Sequence, residues 1–293
     1  MKPQHSLELV LLAALWGGSF LFMRIAAPEL GPIWLSECRV LLAGLVLLPL
    51  VIGRGLWPEL RRHARPLMVV GFLNSALPFS LLAFTSLSLP AGMTAILNGT
   101  VPFFGVIVAF FWLKEPLTLA RISGLILGFI GVVILVGLRE TTVTPGLLLA
   151  VATGVMAAIS YAVAAPYVRL RLRGVPALVI ATGTLLSAAS FLVPLLPFTR
   201  PQQMPQPLVL GAVVALALFS TSVAYLLYFH LIEQVGSTRA LTVAYLIPLF
   251  AMAWGAMLLD EPLTRSMILG CGLILLGTAI ANTTRQRLTQ PSK

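Results

Sequence analysis

Charge is scarce in this sequence. Only 10% of its 293 residues are Asp, Glu, Lys or Arg, against 59% hydrophobic, and the mean hydropathy is +1.00. Soluble domains carry about a quarter of their residues as charges, so a water-soluble globular protein is excluded. Cysteine and histidine are scarcer still, with two and three copies. Cys38 and Cys271 both lie in apolar runs and match no disulfide or metal-ligand spacing. Neither a metal nor any other cofactor is expected, and no catalytic residue is predicted. The basic excess, a net charge of +10, would suit a nucleic-acid partner only if it gathered on one solvated face. Here Lys and Arg punctuate apolar runs, so no nucleic-acid partner is expected and the charge reads as membrane topology.

What the chain has in abundance is apolar runs long enough to cross a bilayer. They begin near Leu7, Pro32, Leu67, Pro90, Leu119, Pro145, Pro176, Leu208, Gly236 and Arg265. At about 20 residues per crossing, ten spans fill most of the chain and leave no room for a soluble domain. The runs lack the period-two alternation of a membrane barrel, and backbone amides in lipid must pair within their own segment. The predicted class is an all-α integral membrane protein of ten transmembrane helices, one membrane domain over residues 1–293. The lipid bilayer is its surrounding partner.

Orientation follows from where basic residues fall. With the N-terminus in the cytoplasm, the even-numbered connections and both tails hold Lys2, Arg54, Arg61, Arg62, Arg65, Lys114, Arg121, Arg169, Arg171, Arg173, Arg239, Arg285, Arg287 and Lys293. The opposite side holds Arg139, Arg200 and Arg265, while Arg24 and Arg39 fall within spans. Fourteen against three predicts that both ends are cytoplasmic, in the inner (cytoplasmic) membrane of the cell.

Two short segments repeat, Lys114-Glu115-Pro116-Leu117-Thr118 and Asp260-Glu261-Pro262-Leu263-Thr264, at an offset of 146 residues. At that offset Pro102 meets Pro248, Phe104 meets Phe250, Gly124 meets Gly270 and Gly131 meets Gly277. Ten of the 22 positions from Leu113 to Ile134 are identical. An offset of 145 aligns Trp16 with Tyr161 and Arg24 with Arg169. The prediction is a duplication, with repeats over residues 7–138 and 145–284. Five spans per repeat is an odd number, so the second copy enters the membrane upside down. Exchange of conformation between inverted halves moves a midplane site from one face to the other. That symmetry serves transport rather than catalysis.

Candidate site residues are the polar and aromatic side chains at matching places in the halves. Asn74 and Ser75 stand in the third span opposite Ser220, Thr221 and Ser222 in the eighth; polar groups avoid lipid, so cavity lining and interhelical bonding are the two open readings. In the fourth span Thr94, Asn98 and Pro102 share a helical face, and Pro102 frees the carbonyl of Asn98. The ninth span carries Thr242, Tyr245 and Pro248 in the same way. Pro102 and Pro248 are the predicted hinges. Trp16, Phe79, Tyr161, Tyr225 and Tyr245 complete the expected substrate-binding set with Asn74 and Asn98, because rings offer an apolar face and a polar tip. Arg39 costs about 2.5 to 3.5 kcal/mol in a span and is expected to gate or brace rather than to touch substrate; Glu37 points away from it. Arg24 reads as an interface anchor. His230, Glu233 and Gln234 share a face, but with His5 and His63 elsewhere a zinc site lacks ligands. Gly124 and Gly128 allow close helix contact, within the chain rather than between copies, so a monomer is expected over a dimer.

Trp16-Gly17-Gly18-Ser19, Arg39, Pro102, Glu115-Pro116-Leu117-Thr118 with its following glycines, Pro248 and Glu261-Pro262-Leu263-Thr264 resemble the drug/metabolite transporter superfamily, and within it the ten-helix EamA-type transporters. The resemblance spans nearly the whole chain and implies a central cavity lined by the first, third and fourth helices of each half. It implies export of a small polar metabolite, an amino acid being the leading class, by alternating access. It does not fix the solute: a proton-coupled exporter of lipophilic cations is the alternative. An intramembrane enzyme would require a nucleophile–base or metal constellation, which the sequence lacks, and a passive channel would transport without saturation.

Overall fold

A computed structural model describes residues 3–137 and 144–288, with the side chains at 136, 137, 237, 238 and 282–288 excepted. Lys2, Arg139 and Lys293, and the side chains of Arg285 and Arg287, lie outside the described residues. Helix α1 runs Pro3–Gly53, about 75 Å if straight and far beyond one bilayer. It is not straight. Gly31 adopts φ 74° and ψ 159°, a backbone state that favours glycine, and Pro32 follows. The two arms fold back on each other, so that residues equidistant from Gly31 meet: the Arg39 guanidinium reaches the Met23 sulfur at 3.9 Å.

The remaining helices are α2 (Trp57–Arg62), α3 (Ala64–Gly71), α4 (Leu77–Ser88), α5 (Ala91–Asn98), α6 (Val101–Leu113), α7 (Leu119–Gly137), α8 (Pro145–Arg171), α9 (Ala177–Leu192), α10 (Pro207–Ala217), α11 (Ala224–Val235), α12 (Ser237–Ala240), α13 (Val243–Leu258) and α14 (Arg265–Leu288). Wide π turns join α3 to α4 (Phe72–Ala76) and α10 to α11 (Leu218–Val223), and a 3-10 turn follows α9. Among the described residues, six helical stretches are long and apolar enough to cross a membrane and three shorter ones are apolar. The protein is an all-helical, multi-pass membrane protein.

The repeated Glu-Pro-Leu-Thr segments do the same local work twice. Among the described residues, Lys114 and Asp260 are the two non-glycine residues in the left-handed region, at φ 56° and 53°, and each ends a helix. The N–H of Glu115 donates back to the Ala109 carbonyl (3.2 Å) and that of Glu261 to Gly255 (3.1 Å), each closing its helix end across the left-handed residue, one residue further back than the bond of a Schellman cap. Proline then prevents continuation. Thr118 and Thr264 accept the N–H of Arg121 and Met267, capping α7 and α14.

Helices α7 and α14 pack along their glycines. A Cβ on Gly124 would lie 2.5 Å from the Gly277 carbonyl oxygen, one on Gly277 would lie 2.6 Å from that of Gly124, and Gly131 and Gly270 block each other at 3.0 and 2.9 Å. The lower-numbered glycine of one helix meets the higher-numbered glycine of the other, so the two helices cross antiparallel. Gly128 packs on Phe103 and against Gly277, an intrachain contact.

The prolines behave differently from the expected matched kinks. In the fourth span the helix stops at Asn98, turns through Gly99 and Thr100 and restarts at Val101, which puts Pro102 in a first turn where no N–H is required. Pro248 instead lies inside α13, six residues beyond the turn at 241–242 that separates α12 from α13. The backbone interruption precedes each proline by different lengths, although a threonine secures both breaks in the same way: Thr100 donates its hydroxyl to the Leu97 carbonyl at 2.6 Å and Thr242 to the Arg239 carbonyl at 2.7 Å.

Candidate solute site and its flanking ion pairs

The centre of the bundle is organised by Arg39, on the second arm of α1 and 6% exposed. Its Nε donates to the Thr221 hydroxyl at 3.0 Å, and its guanidinium carbon lies 3.7 Å from the centroid of the Phe79 ring, a cation–π contact. Tyr161 and Tyr225 stand within electrostatic reach. Among the described residues no carboxylate pairs with it. Glu37 is buried on the other face of the same arm, with neither oxygen bonded.

The π turns make this centre. In the first copy Pro78 cannot donate to the carbonyl of Asn74 and crowds it, and the helix widens over Phe72–Ala76. A neighbouring hydroxyl fills part of the opening: Ser160 donates to the Leu73 carbonyl at 2.6 Å. In the second copy position 224 is Ala, and the widening over Leu218–Val223 is held by side chains. Thr221 and Ser222 donate to the carbonyls five residues back, Leu216 at 2.8 Å and Ala217 at 3.0 Å. Two different sequence devices thus yield one backbone shape at equivalent places. Thr221, placed by its turn, presents its oxygen to Arg39 from the other half of the chain.

Phe79, Tyr161, Tyr225 and Arg39 come together at this centre. Tyr225 stacks on Phe229, centroids 5.9 Å apart, and Trp16 tilts against Tyr228 at 5.1 Å, extending an aromatic wall. Asn74 is half-buried in the first π turn, and the Asn98 side-chain oxygen is buried without a partner at the break after α5. Tyr245 is half-buried on α13. Two further indentations, of about 480 and 540 Å³, are lined by Glu59, Arg62, His63 and Arg173 in one case and by Gly31, Leu77, Leu81 and Phe84 in the other. Neither is lined by Arg39.

Arg24 is more than the interface anchor its position suggested. Its NH1 donates to the carbonyls of Ser86 and Leu87 at the end of α4 (2.7 and 3.0 Å), and its Nε lies 3.4 Å from Glu261 Oε1. Glu261 Oε2 accepts the N–H of Ala91 at the start of α5, 2.9 Å. At the opposite end Glu115 pairs with Arg121 at 2.8 Å and more distantly with Arg169, 3.9 Å. His230 is exposed and 3.9 Å from Glu8.

The described residues form an all-helical membrane bundle with a buried polar centre. The model of the EamA-like transporter family matches residues 6–137 and again 146–283, and the chain belongs to that family. An S-adenosylmethionine/S-adenosylhomocysteine transporter of Chlamydia muridarum is 26% identical, over 94% of this chain and 91% of its own. A probable amino-acid metabolite efflux pump of Salmonella typhimurium is 24% identical, over 96% and 95%. A solved crystal structure superposes over 99% of this chain and all of that one with a TM-score of 0.69 at 20% identity, a likeness of fold. The chain is a membrane transporter of this family.

Proposed function

We propose that this protein exports a small carboxylate-bearing metabolite, an amino acid or a close relative, by alternating access, and that Arg39 receives the carboxylate. One observation carries this reading: a guanidinium buried between both halves with no acidic side chain paired to it among the described residues. A buried cation without a counter-charge is costly, and an arriving carboxylate offsets that cost through charge-assisted hydrogen bonds. A fixed positive charge at the centre repels a lipophilic cation, which speaks against the multidrug alternative. The relatives named for S-adenosylmethionine and for amino-acid metabolites share an α-amino-acid group among their solutes, which agrees with a site built around a carboxylate.

In this reading ten crossings form two inverted five-helix repeats, with both ends cytoplasmic in the inner membrane and one chain enclosing the pathway. The antiparallel α7–α14 seam and the equivalent π turns support the inversion. Phe79, Tyr161 and Tyr225 shape the pocket beside Arg39; Trp16, Asn74, Asn98 and Tyr245 line its approaches; the breaks before Pro102 and Pro248 bend as the halves exchange conformation. Uptake of labelled amino acids into proteoliposomes tests it. Unlabelled acid should compete, and the corresponding carboxamide should compete roughly 10- to 100-fold more weakly. Carriage of tetraphenylphosphonium without any amino acid would overturn the assignment.

A further inference from the structure

We infer that Arg24–Glu261 and Arg169–Glu115 are paired latches that close the two mouths of the pathway in alternation, the first engaged and the second loosened in this conformation. The inference rests on the alternating-access reading above but not on the identity of the solute.

The residues correspond between the repeats: Arg24 with Arg169 at an offset of 145, Glu261 with Glu115 at 146. Each pair joins one half to the other. Arg24 stands on the first arm of α1 and Glu261 in the α13–α14 connection; Arg169 stands near the end of α8 and Glu115 in the α6–α7 connection. Two inverted halves that exchange shape must exchange whatever closes their ends. A symmetric pair of bridges between halves is the minimal device for this.

The two latches are in different states. At the first, the ions are 3.4 Å apart with side chains 33% and 12% exposed, and the α4 carbonyls and α5 N–H are gathered onto them. At the second, the ions are 3.9 Å apart with side chains 63% and 26% exposed. Glu115 is held instead by Arg121, a residue with no basic counterpart, because position 267 is Met. Arg121 also donates to the Pro116 carbonyl at 2.9 Å and so keeps Glu115 within its own connection.

A further difference favours engagement at the first end. Gly255 lies beneath Glu261, and a Cβ there would collide with the Glu261 carboxylate. The corresponding residue below Glu115 is Ala109. A methyl at 255 collides only with the movable tip of a side chain and meets Ala91 Cβ at an ordinary 3.6 Å, so Gly255→Ala should displace the carboxylate and leave the fold intact. Glu261→Gln complements it: the amide oxygen still accepts the Ala91 N–H while the charge is lost.

The test uses the full chain with Cys38→Ser and Cys271→Ser, and a reporter, Ser220→Cys, beside the central cluster. A membrane-impermeant maleimide is applied to right-side-out or inverted vesicles. The parent should label from the Glu115 face more than from the Glu261 face. Glu261→Gln and Gly255→Ala should each raise labelling from the Glu261 face about fivefold, the scale of one partly exposed ion pair. Arg121→Gln, which frees Glu115 for Arg169, should act in the same direction from the opposite end, and Glu115→Gln in the reverse direction. Thermal melting of each variant in detergent identifies any that fail to fold, and the variants at the other end then decide. Unchanged labelling in folded variants at either end, or a reporter closed to both faces throughout, overturns the latch. Solute competition is read separately, so the latches can fail with the carboxylate site intact, and the site can fail with the latches intact.

Discussion

Arg39 illustrates how function and stability separate at a single residue. Its burial without a counter-charge costs the fold, and in the proposed reading that cost is what makes the site select a carboxylate. Arg39→Leu should therefore leave the melting temperature in detergent unchanged or raised while abolishing solute binding. Arg39→Gln should weaken binding roughly 10- to 100-fold, the value of a hydrogen bond to a charged group. Arg39→Lys should retain part of it, since an ammonium keeps the charge without the planar fork. Binding measured by calorimetry beside melting checks the pair of signs; a large destabilisation by Arg39→Leu would assign the residue to bracing, as its place in the sequence first suggested. That place gave away the cost of the charge and nothing about its partner. Thr221 is 182 residues distant, and no spacing rule connects them. Arg24 was misread for the same reason: an arginine near the end of a span usually anchors at the interface, and the carboxylate that claims it lies in the other half.

The two π turns shape the elements around Arg39. A widened turn frees carbonyls and rotates the following helix, and its persistence depends on what occupies those carbonyls. Thr221→Val keeps the shape of the side chain but removes both the bond to the Leu216 carbonyl and the acceptor for Arg39. It should cost about 1 to 3 kcal/mol in denaturant unfolding, and Thr221→Ser should recover most of that. The turns were only half legible: the polar clusters at Asn74–Ser75 and Ser220–Ser222 marked both places, but not the backbone widening, which depends on Pro78 in the first and on hydroxyl bonds to carbonyls five residues back in the second. The Glu-Pro-Leu-Thr connections were far more legible, because a left-handed cap, a proline stop and a threonine cap are all local. Glu261, in one of these connections, also has a pH signature. Burial pushes its carboxyl above the ordinary value, against the lowering pull of the Ala91 N–H and of Arg24. A raised value means that the charge is lost at higher pH than in a free glutamate, so acidifying its face of the membrane should release the latch. Labelling of the central reporter from that face should rise as the pH falls, and Glu261→Gln should flatten the profile.

At the scale of the whole molecule, the α7–α14 seam is where the proposed inverted repeat becomes a packing constraint. The glycines that align in sequence, Gly124 with Gly270 and Gly131 with Gly277, are not the ones that touch. Gly124 meets Gly277 and Gly131 meets Gly270, as a two-fold axis across an antiparallel pair requires. Alanine normally gains about 1 kcal/mol over glycine within a helix, and Gly272, whose Cβ would meet nothing within 4 Å, should show that gain. Gly124→Ala and Gly277→Ala should instead each cost about 1 to 3 kcal/mol, since the methyl must push apart two backbones. Because these two share one contact, once either methyl has forced the helices apart the second finds room, and the double variant should cost clearly less than the sum. Gly124→Ala with Gly131→Ala, about 10 Å apart along one helix, acts on separate contacts and should be nearer to additive. Unfolding measured in detergent as a double-mutant cycle reads these signs directly. Additivity at Gly124 and Gly277, or a change of oligomeric state without loss of stability, would mean that the seam does not join the two halves of one chain.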